Sequence, residues 1–131
     1  MAEIIEIKTL TKNIIKQFKF MNNVKVKIIN KNGRTRAQVI MPKKEKYTLY
    51  LYLKQLRGLQ NLKRFKQLLG KTNNFKNFYI KVLLHEICHI KQFKRGNIYD
   101  TTNLSPREHD NDKSEIEANK FAITNFKKVL K

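Results

Sequence analysis

At 131 residues the chain is long enough for one modest hydrophobic core and too short for two. Its 40% hydrophobic and 30% charged residues give the balance of a soluble globular domain, and it has no run of about 18 apolar residues to span a bilayer. A formal net charge of +19 sets it against cationic partners and makes polyanions such as nucleic acid a possible partner class for its basic surface.

The charge is uneven. From Ile7 to Leu84 the only acid is Glu45, while most remaining acids lie from Glu86 to Glu117, so a basic body precedes an acidic segment. Lys, Asn and Ile are all abundant and the lysines are scattered, which is also what A/T-rich codons produce. No aromatic stacking motif or zinc-finger spacing accompanies the charge. The single cysteine, Cys88, has no intrachain partner and fits a reducing interior. The N-terminus, with Glu3 and Glu6, lacks the pattern of a signal peptide. A cytoplasmic location is expected, the host cytoplasm if the chain is viral or from a phage.

Residues Ile7 to Phe20 place Ile7, Leu10, Ile14 and Phe18 at helical spacing and predict a first amphipathic helix. Val24, Val26 and Ile28 alternate with Lys25 and Lys27 as in a half-buried strand. Asn32-Gly33 is a hairpin signal, because both residues tolerate the positive φ of a type I′ turn. It predicts a second strand from Arg34 to Met41, closed by Pro42. Tyr47 to Leu53 alternates leucines with Thr48, Tyr50 and Tyr52, a third strand. The period then changes. Leu53 to Leu69 predicts one helix ending at Gly70, Asn77 to Phe93 another, and Ser114 to Leu130 a last one after a polar loop. Ser114 and Glu117 have the spacing of a capping box. No repeat or linker interrupts this order, so residues 1–131 are expected to form one α+β domain.

His85-Glu86-Ile87-Cys88-His89 is an HExxH sequence. Histidines four apart share one face of a helix and can direct ring nitrogens at one zinc ion, and the glutamate between them can take a proton from a metal-bound water. On a helical wheel Phe78, Val82, His85, His89 and Gln92 lie on one side, opposite Ile80, Leu83, Leu84, Ile87 and Ile90. The second stripe is expected in the core and the histidines at a cleft. A catalytic zinc needs a third protein ligand and one open position. Downstream, Glu115, Asn119, Ala122 and Phe126 share one helical face, and small Ala118 and Ala122 permit close approach to the histidine helix. Glu115 is therefore the first candidate for the third ligand and Glu117, on a different face with Phe121 and Thr124, the second. Cys88 lies away from the metal face and is expected to be a packed thiol. His109 is a candidate donor to an oxyanion or an exposed loop histidine; Tyr99 has the same possible role.

HExxH followed on a later helix by E-x-E-A-N-x-F-A resembles the gluzincin metallopeptidases, most closely the ImmA/IrrE-type family common in phages and mobile elements. The resemblance covers roughly Lys76 to Phe126. It implies a minimal zincin-like domain: an N-terminal helix, a three-stranded mainly antiparallel sheet, an active-site helix and a C-terminal glutamate helix. It also implies zinc bound by His85, His89 and Glu115, Glu86 as general base, a zinc-bound water as nucleophile, and hydrolysis of peptide bonds in a protein substrate. Asn119 matches a position that orients a histidine ligand. An extended substrate would pair with an edge strand, for which Tyr47 to Leu53 is the candidate. Cys88 stands where many members have glycine and is similar in that to SprT-like proteases, but His109 is followed by Asp110 rather than glycine. Ile123-Thr124-Asn125-Phe126 replaces the Leu-Leu-Met-Pro segment common in the family. The alternatives are a basic nucleic-acid-binding protein of a virus or mobile element with a non-catalytic zinc site, or a protease acting on nucleic-acid-bound proteins.

Overall fold

The computed structural model describes residues 2–29, 37–43, 46–60, 62–72, 74–94 and 112–130, with side chains described at all of these but 2, 37–43 and 46. Helix and strand are mixed, with helix predominant. The order is α1 (Ala2–Ile15), a 3-10 turn (Lys19–Met21), β1 (Val24–Ile29), β2 (Ala37–Lys43), β3 (Lys46–Tyr52), α2 (Leu53–Leu59), α3 (Lys63–Leu69), α4 (Phe75–Lys94) and α5 (Lys113–Val129). No helix among the described residues is long and apolar enough to cross a membrane.

The three strands form one sheet in the order β1-β3-β2. β1 runs parallel to β3, pairing Val26 with Leu49 and Ile28 with Leu51, while β2 runs antiparallel to β3, pairing Val39 with Leu49. This corrects the expected mainly antiparallel sheet: of its two pairings one is parallel. It also corrects the expected hairpin, since β1 and β2 are not neighbours; Asn32 and Gly33 themselves lie outside the described residues. The short hairpin is instead between β2 and β3, where Lys43 pairs with Lys46 and two residues separate them. β3 takes the centre because Leu49 and Leu51 are its most apolar positions and both are fully buried. Pro42, which lacks an N–H, lies within β2 rather than closing it, on an edge strand and where the register shifts between Ile40 and Lys43. β3 is therefore not the edge strand that an extended substrate requires.

The predicted helix over 53–69 is two helices. At about 100° per residue, a continuous helix would put Leu53 and Leu56 on one side and Phe65 and Leu69 on nearly the opposite side. All four are buried, and the break before Leu62, whose backbone is extended, lets both pairs face the core. Gly58, a weak helix former, sits just ahead of it. α3 ends at Gly70, whose φ of 80° is a conformation that glycine adopts without strain. The Lys81 ammonium reaches the same corner and donates to the Leu69 carbonyl at 2.7 Å. Burial pushes this lysine below its usual pKa.

α4 starts where Asn74 Oδ1 accepts from the Asn77 amide at 2.8 Å, a cap two residues earlier than hydrophobic periodicity alone would place it. It is the central element, buried around almost its whole circumference. Phe78, Val82 and His85 are as inaccessible as Ile80, Leu83, Leu84, Ile87 and Ile90. The expected division into a core side and an open histidine side is thus corrected, because α5 lies antiparallel against the histidine side. Ala118 and Ala122, both fully buried, let the two helices approach closely. α1 is tied to α4 by Tyr79, whose hydroxyl lies 2.7 Å from Thr11 Oγ1; that hydroxyl in turn donates to the Ile7 carbonyl at 2.7 Å, so Tyr79 is the donor. α5 is capped by Asp112, which accepts from the Ser114 amide at 3.0 Å. Ser114 is therefore not the cap, and Glu117 does not close a capping box with it. An aspartate two residues upstream takes the cap and frees Glu117 for α4.

Candidate metal centre

His85 and His89 project from successive turns of α4 toward Glu115 in the first turn of α5. Their Nε2 atoms are 3.0 Å apart; His85 Nε2 lies 2.9 Å from Glu115 Oε2, and His89 Nε2 lies 3.1 Å from Glu115 Oε1. The three side chains offer ligand atoms that all lie within 4.8 Å of one another and can hold a metal ion. A four-coordinate ion with bonds of about 2.0–2.1 Å keeps adjacent ligand atoms about 3.3 Å apart, close to these separations.

The protonation pattern fits a cation better than the distances alone do. His85 Nδ1 is 2.7 Å from Asn119 Oδ1, and His89 Nδ1 is 2.8 Å from Gln92 Oε1. Amide oxygens only accept, so both Nδ1 atoms carry hydrogen and each neutral ring presents its Nε2 lone pair to Glu115. Two lone pairs and a carboxylate converging at about 3 Å repel unless a positive charge lies among them. Without an ion, a proton serves. Burial pulls the His89 imidazolium down, but the hydrogen bond to Glu115, the charges of Glu86 and Glu115, and the Gln92 hydrogen bond outweigh it and raise its pKa to about 9.

Gln92 has a part that the helical wheel does not reveal. Besides accepting from His89, it donates through Nε2 to the Ser114 carbonyl at 2.9 Å and to Glu117 Oε1 at 2.8 Å. One buried amide thus fixes the His89 tautomer and clips α4 to the start of α5. Its position three residues after His89 is the available sequence signal, since i and i+3 share a helix face. Glu117, the second candidate for a ligand, is engaged with Gln92 and lies outside the metal-competent cluster. Cys88 is buried, with Sγ 3.9 Å from Glu117 Oε1, beside a small cavity of about 250 Å³.

Exposure is graded across the cluster. The side chains of His85 and Glu115 are 4% and 6% exposed, whereas His89 is 14% exposed, so solvent reaches the centre past His89. Glu86 is buried on α4 and its charge acts on His89. His109 and Tyr99 lie outside the described residues. No family model, curated protein or solved structure matches the chain.

Proposed function

We propose that the chain is a small zinc-dependent peptidase of zincin-like design, acting on a protein substrate. The observation that carries this reading is the convergence of the His85 and His89 Nε2 atoms on Glu115 while both Nδ1 hydrogens are committed to amide oxygens. Two imidazoles and one carboxylate form a donor set suited to zinc, and three protein ligands leave one coordination position for water or substrate. A zinc ion held there supplies Lewis acidity toward a carbonyl and lowers the pKa of a water toward 7.

The chain's own residues supply the rest. Asn119 and Gln92 hold the two rings in the ligating tautomer, as hydrogen-bond partners of metal-binding histidines commonly do. Glu86, adjacent to His85 in sequence, takes a proton from the attacking water and passes it to the leaving amine. β2 is an edge strand and its backbone approaches α4, which makes it, rather than β3, the place for an extended peptide to pair. The near-complete burial of His85 and Glu115 keeps bulk water from competing for the ligands.

The test joins metal content with cleavage of an unfolded protein such as casein by the wild type and Glu86→Gln. Equal zinc in both with cleavage only in the wild type is expected. A wild type that retains no zinc, or a Glu86→Gln protein that still cleaves, overturns the proposal. Zinc in both proteins with cleavage in neither favours the binding-protein alternative.

A further inference from the structure

β3 turns Leu49 and Leu51 into the core, so Thr48, Tyr50 and Tyr52 lie on the opposite face of the sheet, where all three are half-buried. The parallel register sets Lys25 beside Thr48 and Lys27 beside Tyr50, and both lysines are exposed. Lys27 Nζ lies 5.7 Å from the centre of the Tyr50 ring. The same lysine lines a groove of about 760 Å³ between α1 and the β1 edge, whose other cations among the described residues are Lys8, Lys12 and Lys16. These three exposed lysines succeed one another by one helical turn, rising about 6 Å each along α1. The floor is apolar, formed by residues such as Val26 and Ile28, and no acid lines the groove among the described residues. Among the described residues β1 is an outer strand, so the groove on its Val26–Ile28 side and the tyrosine face on its other side meet at its edge.

We propose that the groove and the tyrosine face, which meet at the β1 edge through Lys27, together bind single-stranded nucleic acid, with Tyr50 and Tyr52 stacking bases and Lys8, Lys12, Lys16 and Lys27 holding phosphates. The proposal is independent of the peptidase reading. Aromatic side chains at alternate positions of a central strand sit about 6–7 Å apart, a platform for successive unpaired bases. A cationic groove beside such a platform is the general arrangement for following a single strand without sequence preference. A duplex hides its base faces and would use only the lysines. An acidic peptide or an anionic membrane would also meet the lysines, but neither explains two ring faces beside them.

The chain has five tyrosines and no tryptophan, so its own fluorescence reports tyrosine stacking directly. The full protein is titrated with oligothymidylate, a duplex of equal length, heparin, and vesicles containing phosphatidylserine. Expected is tightest binding to the single strand with quenched tyrosine fluorescence. The Tyr50→Ala/Tyr52→Ala protein should lose the quenching and about five- to hundredfold in single-strand affinity, with heparin binding unchanged. Tyr50→Phe/Tyr52→Phe should keep the affinity, which guards against a folding defect in the alanine variant. Lys8→Ala/Lys12→Ala/Lys16→Ala should lower the slope of log affinity against log salt by about 2. Binding of duplex, heparin or vesicles as tight as that of the single strand, or unchanged affinity in the tyrosine-to-alanine protein while it remains folded, overturns the proposal.

Discussion

The α4–α5 pair and the α1–sheet side handle charge in opposite ways. Between α4 and α5, Glu115, His85, His89, Gln92 and Glu117 are joined in short polar contacts, most of them buried. On the other side Lys8, Lys12, Lys16, Lys25 and Lys27 are all exposed. In dry surroundings a charge acts over one or two contacts and salt hardly reaches it; in water it acts as a diffuse field that salt removes. The net charge of +19 therefore describes the second region and says almost nothing about the first.

The largest expected effect breaks the buried region. Glu115→Ala removes the anionic ligand of the described cluster and leaves two imidazoles facing each other, so metal content should fall to background in elemental analysis after gel filtration. In the metal-free protein the same change withdraws the carboxylate that raises His89, and an NMR titration should find its pKa well below about 9. Bound metal at the wild-type level in Glu115→Ala would move the third ligand elsewhere.

Next in size are the two amides that hold the rings. Asn119→Ala and Gln92→Ala should each weaken zinc binding by about 10–100-fold in chelator competition. Gln92→Ala should also lower thermal stability in the absence of metal, because the Ser114 carbonyl and Glu117 lose their shared donor. Equal losses of stability in both variants would mean that Gln92 is no clip between the helices.

A pH series sharpens the same comparison. Folding raises His89 from 6.5 to about 9 in the metal-free protein, so the proton is bound more tightly in the folded state. Its stabilising contribution is complete below about pH 6.5 and is lost as pH rises through about 9. Metal must displace that proton, so zinc affinity should tighten by about tenfold per pH unit between about 7 and 8. A pH-independent affinity over that range would contradict the raised value. Over the same range, added salt should leave zinc affinity nearly unchanged.

Local rules made the metal cluster legible in the sequence. The i, i+4 histidines and the Glu115–Asn119 face need only helical periodicity, and Ala118 and Ala122 mark where helices approach. Sheet order obeys no such local rule. Asn32-Gly33 signals a turn, but which strand lies beside β1 is decided by the burial of Leu49 and Leu51, which draws β3 between the other two. The wheel of α4 separates two stripes, yet it does not say that α5 covers the one that carries the histidines. Lys81 is illegible for a related reason: a lysine is buried only where a carbonyl waits, and the Leu69 carbonyl is presented by a turn that Gly70 makes. The tyrosine–lysine face is likewise no linear motif, because Lys27 and Tyr50 are 23 positions apart in sequence and meet through a parallel register.

The smallest predicted effect has the opposite sign to all the others. Lys8 and Lys12 stand four residues apart on the exposed side of α1 and repel each other. Like-charge pairs at that spacing cost a helix about 0.2–0.5 kcal/mol, and a glutamate four residues before a lysine returns a similar amount. Lys8→Glu should therefore stabilise the fold by about 0.4–1 kcal/mol in urea unfolding at low salt. At 1 M salt, where screening acts within about 3 Å, the gain should vanish. The same substitution should weaken single-strand binding. A site variant such as Gln92→Ala lowers stability and ligand affinity together, because its contacts are buried and shared. Lys8→Glu should separate them, since a wet lysine row costs the helix something and is useful only to a polyanion. A loss of stability at low salt would show that Lys8 makes a packing contact stronger than its repulsion from Lys12, and the contrast between the two regions would fail at that position.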